Sequence, residues 1–176
     1  MMLFLDTEWA DVLATELVSL ALVGEKLVFY AERRPLPEKP TDFVRSAVYP
    51  LLLGGYWSLE DDEFARRLRD FIALTTAQDN GRPPTIAFDY WADRSLFEYA
   101  YCGFEHDGPI VVPVDWFDLN QLNPFYVGGM EDYFRDSALE AERRHNALVD
   151  AKAAQAGYKA AVRALAQRPS QDRTES

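Results

Sequence analysis

The stretch FLDTEW, residues Phe4 to Trp9, decides the fold. It continues an apolar opening and reads as a buried strand, yet it carries two carboxylates, Asp6 and Glu8, two residues apart. Residues i and i+2 of a strand share a face, so the two groups stand side by side and repel each other unless something positive lies between them. Either the strand frays into solvent at Asp6, or the pair holds a cation.

Working outward, TELVSLALVG (Thr15 to Gly24) and EKLVFYAER (Glu25 to Arg33) are two strand-like runs separated by little more than Gly24 and Glu25. That spacing predicts a tight antiparallel hairpin and hence three consecutive strands at the start of the chain. PLPEKP (Pro35 to Pro40) breaks the pattern, and Thr41 opens a short apolar-periodic run to Leu53. In SLEDDEFARRLRDFIALTT (Ser58 to Thr76), Ser58 and Asp61 read as a capping box and Phe64, Leu68, Phe71 and Ile72 share one helical face. Asp62/Arg66 and Glu63/Arg67 add supporting pairs on the wet side.

After DNGRPP (Asp79 to Pro84), TIAFDYWA predicts a strand over residues 85–91, with Asp93 as the N-cap of a helix through DRSLFEYAY. FEHDGP, with His106, reads as turn chemistry, and PIVVPVDWF (Pro109 to Phe117) as a short strand near a sheet edge. LNPFYVGGM (Leu122 to Met130) reads as a loop. A last helix begins near Asn146 and puts Ala147, Ala151, Ala154, Tyr158, Ala161 and Leu165 on one face. These elements predict an α/β domain with a mixed, five-stranded sheet covered on both faces.

The chain has 176 residues, 48% of them apolar and 14% aromatic, enough for one well-packed domain. We expect that domain over residues 1–166 and an unstructured polar tail over 167–176. A single cysteine, Cys102, excludes an intramolecular disulfide and a cysteine-rich zinc site. With no secretory signal pattern and no bilayer-length apolar run, the expectation is a cytoplasmic protein. The net charge of -11 counts against long, sequence-independent contact with a phosphate backbone and is compatible with acidic metal sites.

A second unusual stretch is RRHNALVDA, Arg143 to Ala151. Asn146 can cap the last helix, and Asp150 falls one turn in, near the face carrying Ala147 and Ala154. An aspartate there is costly unless paired or bound to a metal. Taken singly, Asp6 and Glu8 are a strand end in charge, His145 a surface histidine and HNALVDA a capped helix start. Together, in order, they are a DxE on the first strand, an aspartate where a later strand meets its helix, and an H-x4-D at the final helix.

This arrangement resembles the DEDDh class of 3'-5' exonucleases, the RNase T and oligoribonuclease-like group with an RNase H-like fold. The resemblance runs from about Leu3 to Leu165, on DTE at Asp6 to Glu8 and HNALVDA at His145 to Ala151. For the middle motif, AFDYWADRSLF offers Asp89 and Asp93; Asp93 is chosen because the strand reads as complete by Trp91, and Asp89 requires a strand four residues shorter. The resemblance implies two Mg²⁺ or Mn²⁺ ions held by Asp6, Glu8, Asp93 and Asp150, with His145 as general base and Glu8 also catalytic. It implies cleavage at the 3' end of single-stranded RNA or a 3' overhang, with DNA, or binding without catalysis, as the alternatives. Trp9 would stack on a terminal base or pack in the core, and Thr7 and Arg144 are the other candidate substrate contacts. A homodimer contact could use LLLGGYW, Leu51 to Trp57.

Overall fold

A computed structural model describes residues 1–104 and 111–167. His106, Pro109, Ile110 and the tail from Arg168 onward lie outside the described residues.

The three opening strands form as the pattern dictates: β1 (Met2–Trp9), β2 (Leu17–Val23) and β3 (Val28–Arg33) pair as an antiparallel meander. The turn between β2 and β3 closes with the Gly24 N–H donating to the Leu27 carbonyl at 2.8 Å. The sheet is completed by β4 (Ser58–Leu59), β5 (Thr85–Phe88) and β6 (Asp115–Asp118) in the order β4-β3-β2-β1-β5-β6. β4 runs parallel to β3, β5 to β1, and β6 to β5. The sheet is therefore mixed, as expected, but has six strands among the described residues where five were expected.

The additional strand, β4, occupies residues that read as a helix cap. Leu59 is buried at the sheet edge, so Ser58 and Leu59 pair with Glu32 and Arg33, and helix α1 (Asp61–Gln78) begins after Glu60. Arg33 grips the start of α1 through a bidentate pair with Asp61, 2.7 and 2.8 Å. Phe64, Leu68 and Ile72 are buried along α1 as the periodicity requires. Glu63 pairs with both Arg66 and Arg67, while Arg66 turns to Asp70 rather than Asp62. The run after Thr41 is a π-helical turn (Val44–Val48) followed by a 3-10 turn (Tyr49–Leu51), not a regular helix.

Helices lie on both faces. Leu3 and Leu5 of β1 join α1 and helix α2 (Trp91–Tyr101) in one core with Leu20, Phe29, Phe64 and Phe97. Phe4, of opposite parity, faces Ala154 and Ala161 of the last helix, α5 (Ala147–Ala166), together with Tyr126 of helix α3 (Phe125–Asp136). β2, in the middle, is buried along all seven residues. A short helix α4 (Ala138–Ala141) joins α3 to the region before α5.

Two sequence readings are corrected. β5 ends at Phe88 and α2 starts at Trp91 with Tyr90 at its N-cap, so Asp93 lies in the first turn of α2 and is not the cap. LNPFYVGGM is mostly helix: α3 runs through Gly128 and Gly129, and Gly129 lets it lie against α5. A Cβ on Gly129 would meet the Gly157 Cα at 2.9 Å, and one on Gly157 would meet the Tyr126 carbonyl oxygen at 2.6 Å. Gly129, which looks like a loop signal, is a contact point between two helices, whereas Gly128 faces open space. No helix among the described residues is long and apolar enough to cross a membrane.

Gly157→Ala should therefore destabilise the protein by about 1–3 kcal/mol through overpacking, despite alanine's better helix propensity. Equilibrium denaturation measures it; an unchanged or raised stability would contradict this helix contact.

Candidate functional site

The site lies where the C-terminal end of β1 meets the N-terminal end of α5. Asp6 and Glu8 share parity with Phe4 and so project to the α5 side, opposite Ala21 and Ser19 of β2, neither of which offers a positive charge. The register shifts between Glu8 and Trp9, and the bulge ends the regular pairing just after the second carboxylate. From the other side, His145 adopts a left-handed backbone (φ 74°), and its N–H donates to Asp150 Oδ2 at 2.9 Å. Its ring meets Phe43 edge-on, with centroids 5.0 Å apart. Glu8, His145 and Asp150 each bring one ligand-type atom within 4.8 Å of the others.

Asp93 reaches the same region from the first turn of α2, where the helix N-terminus favours a carboxylate. Its Oδ1 accepts from the Thr7 hydroxyl at 2.7 Å and the Thr7 N–H at 3.2 Å. Thr7 is 3% exposed, so its part is to hold Asp93. Asp89, now at the end of β5, is held from α3 by the Tyr126 hydroxyl at 2.8 Å. Of the two, Asp93 acts more strongly on Asp6.

The electrostatics are those of crowded acids. Burial first, then Asp93, Asp150, Glu8 and Asp89, push the Asp6 carboxyl well above the usual range. Burial, then Asp150 and Asp93, raise Glu8 to about 8. Burial raises Asp93 to about 7 against the lowering effect of Thr7, and Asp150 to about 6 against that of the His145 N–H. Asp6 Oδ2 and Asp150 Oδ1 are buried without a hydrogen-bond partner. Oxygens in that position cost stability unless something satisfies them, and a hard cation does so. Glu8, Asp150 and the His145 imidazole are a donor set that could hold a divalent ion, while Asp6 and Asp93 lie outside that group and act on it through their charge.

The remaining sequence candidates fall elsewhere. Arg144 is committed to α3, paired with Glu131 and stacked 4.2 Å above the Phe134 ring. Trp9 is partly buried, with one face against Tyr90 at 5.6 Å. In the Leu51 to Trp57 segment, Tyr56 is 70% exposed, and the segment is fastened beside the site. Buried Glu32 accepts from the N–H groups of Leu53 and Gly54 and from the Tyr30 hydroxyl. Asn146 donates to Tyr30 and to the Leu51 carbonyl instead of capping α5 with its side chain. Sequence reasoning missed Phe43, Tyr30 and Glu32; a glutamate inside the strand-like run FYAER was the one available signal.

Because folding raises these carboxyl pKa values, the folded protein binds more protons than the unfolded chain between about pH 4 and about pH 8. Stability of the EDTA-treated protein should be greatest at the acid end and fall as pH rises through that window. Mg²⁺ or Mn²⁺ should raise Tm more near the top of the window than near the bottom, and Asp93→Asn should flatten the decline. Thermal scans across pH measure all three; a metal-free Tm that climbs over this range would contradict the arrangement. No known family's model matches the chain, and no curated protein matches its sequence.

Proposed function

We propose that the chain is a metal-dependent 3'-5' exonuclease of the DEDDh class, on an RNase H-like fold. It would hydrolyse the phosphodiester at the 3' end of single-stranded RNA and release nucleoside 5'-monophosphates. The observation that carries this reading is the cluster of Glu8, His145 and Asp150, with Asp6 and Asp93 close enough to act on its carboxylates though outside the cluster itself, and with two carboxylate oxygens buried and unpaired. The mixed sheet with its opening meander supports the fold.

Asp6, Glu8, Asp93 and Asp150 would hold the ions, Asp93 in the orientation Thr7 sets. Two bound divalent ions would supply charge neutralisation for the scissile phosphate and a more acidic water. His145 takes the proton from the water that attacks phosphorus, and the bond from phosphorus to the 3'-oxygen of the preceding nucleotide breaks. Desolvation and the Arg144 charge hold the His145 pKa below its ordinary value, which keeps the imidazole neutral and able to accept that proton. The ring's position is set by the Phe43 contact and by the hold of Asp150 on the backbone.

Matched 5'-labelled single strands of RNA and DNA, incubated with Mg²⁺ or Mn²⁺, test the reading. A ladder shortening from the 3' end is expected, stronger on RNA, absent with EDTA and with Asp6→Ala. His145→Ala should lower kcat by about 10²–10⁴-fold. Equal ladders on both sugars would leave an exonuclease without RNA preference. Folded, cation-binding protein that shortens neither strand would sink the reading in favour of a binding module.

A further inference from the structure

Glu32 is a buried carboxylate that the proposed chemistry does not use. It is 2% exposed and sits on β3, outside the cluster of Glu8, His145 and Asp150. Among the described residues its partners are all neutral: the Tyr30 hydroxyl at 2.7 Å, the Gly54 N–H at 2.9 Å and the Leu53 N–H. A charge in such a place costs stability that an apolar side chain would not. What the charge arranges is the surroundings of Asn146. The Asn146 side-chain nitrogen donates to the Tyr30 hydroxyl oxygen at 3.3 Å and to the Leu51 carbonyl at 3.1 Å. Glu32 positions both acceptors, the first directly and the second through the amides two and three residues further along the loop.

Asn146 is the joint between His145 and α5. Its carbonyl accepts from the N–H groups of Val149 at 2.8 Å and Asp150 at 3.0 Å, while His145 before it has the left-handed backbone. Asparagine is among the best capping residues, yet here the side chain makes no cap and its Oδ1 is buried without a partner. Helix stability is forgone twice at one residue, so the side chain serves something other than the helix. The segment that supplies the Leu51 carbonyl also carries Phe43, whose ring meets the His145 ring edge-on. Glu32 therefore steadies what lies on both sides of the imidazole.

We propose that Glu32, Tyr30 and Asn146 are positioning residues that hold the His145 imidazole in the orientation from which it accepts a proton. The inference rests on the nuclease reading for what the imidazole does, but not for what holds it. A residue just before a helix start has no helical turn to fix its direction, and a general base must stand within hydrogen-bond reach of its proton. A misplacement of about 1 Å can cost about 10²-fold in rate. Two hydrogen bonds from the next side chain, to acceptors that one buried carboxylate sets, supply the missing constraint.

The test compares Asn146→Ser, Asn146→Ala, Tyr30→Phe and Glu32→Gln with the wild type on labelled single-stranded RNA in Mn²⁺. Each should lower kcat about ten- to hundredfold and leave KM unchanged. Asn146→Ser supplies a capping hydroxyl while withdrawing the amide, so its Tm should exceed that of Asn146→Ala although its kcat falls as far. In a His145→Ala background none of the four should lower kcat further, because residues that act through one group are not additive with its loss. Independently of turnover, the His145 ring protons, assigned by His145→Ala, should show nuclear Overhauser contacts to Phe43 in the wild type and weaker ones in each variant. Effects that multiply with His145→Ala, a loss confined to KM, activity that simply tracks Tm, or undiminished ring contacts in folded variants would overturn the proposal. Should Glu32→Gln fail to fold, Tyr30→Phe and Asn146→Ser carry the test. If the wild type cuts no strand, the nuclease reading falls and the ring contacts alone decide: their weakening upholds the positioning, and their persistence overturns it.

Discussion

Mutual repulsion among carboxylates at one end of β1 is the constraint around which this structure is arranged. Asp6 sits in the field of Asp93, Asp150, Glu8 and Asp89, and the charged side chains acting most strongly on it are all acids. Folding brings them together from three elements far apart in the chain, against a gradient that opposes the approach of each. The scaffold absorbs part of the cost through directed donors. Thr7 gives two hydrogen bonds to Asp93, the His145 N–H one to Asp150, and Tyr126 one to Asp89. Asp6 receives no such help at Oδ2. On the proposed reading, the counter-charge such acids need would arrive from outside the chain, as bound cations in place of protons.

A second layer of contacts keeps the geometry from relaxing. Tyr30 donates to Glu32 and accepts from Asn146, so a single hydroxyl ties β3 to the N-cap of α5, one residue from His145. Glu32 in turn anchors the Leu53 and Gly54 amides, and Gly54 has the positive φ (64°) that this turn requires. On the far side, the close crossing of α3 on α5 at Gly129 and Gly157 fixes the height of α5 above the sheet, and with it the depth of Asp150. Tyr126 works at both places, since its backbone lies against Gly157 and its hydroxyl holds Asp89.

The legible parts of the sequence were those where local and tertiary preferences agree. The meander reads directly from three apolar runs with a two-residue turn, and α5 from its alanine spacing. The carboxylates Asp6 and Glu8 were visible because acid in a buried strand violates the pattern. Failures came where tertiary contact overrode local propensity. Tyr90 and Trp91 favour a strand by composition, yet the chain turns at Asp89 and enters a helix, drawn by the Trp9 stack and the Thr7 hold on Asp93. Asp93 was therefore chosen on a strand boundary that lies three residues too late. Gly128 and Gly129 look like loop because helix formers would normally fill those positions, but at Gly129 only glycine fits under α5. Arg144 read as a phosphate contact from proximity in sequence to His145, and its long side chain instead lies over Phe134.

The charge of the whole chain bears on how such a site would behave on the proposed reading. A nuclease that grips a strand along many phosphates relies on lysines and arginines, and holds on after each cut. Here Arg33, Arg66, Arg67, Arg94, Arg135 and Arg144 are all engaged by acidic side chains of the chain itself. With these arginines engaged, the surface would give an incoming strand fewer cations to hold than their number suggests. On the proposed reading, each hydrolysis would remove the phosphodiester held at the carboxylates, and much of the grip would be lost with every nucleotide released. An exonuclease built this way dissociates between cuts, and its rate per end depends on the concentration of ends rather than on the length of the strand.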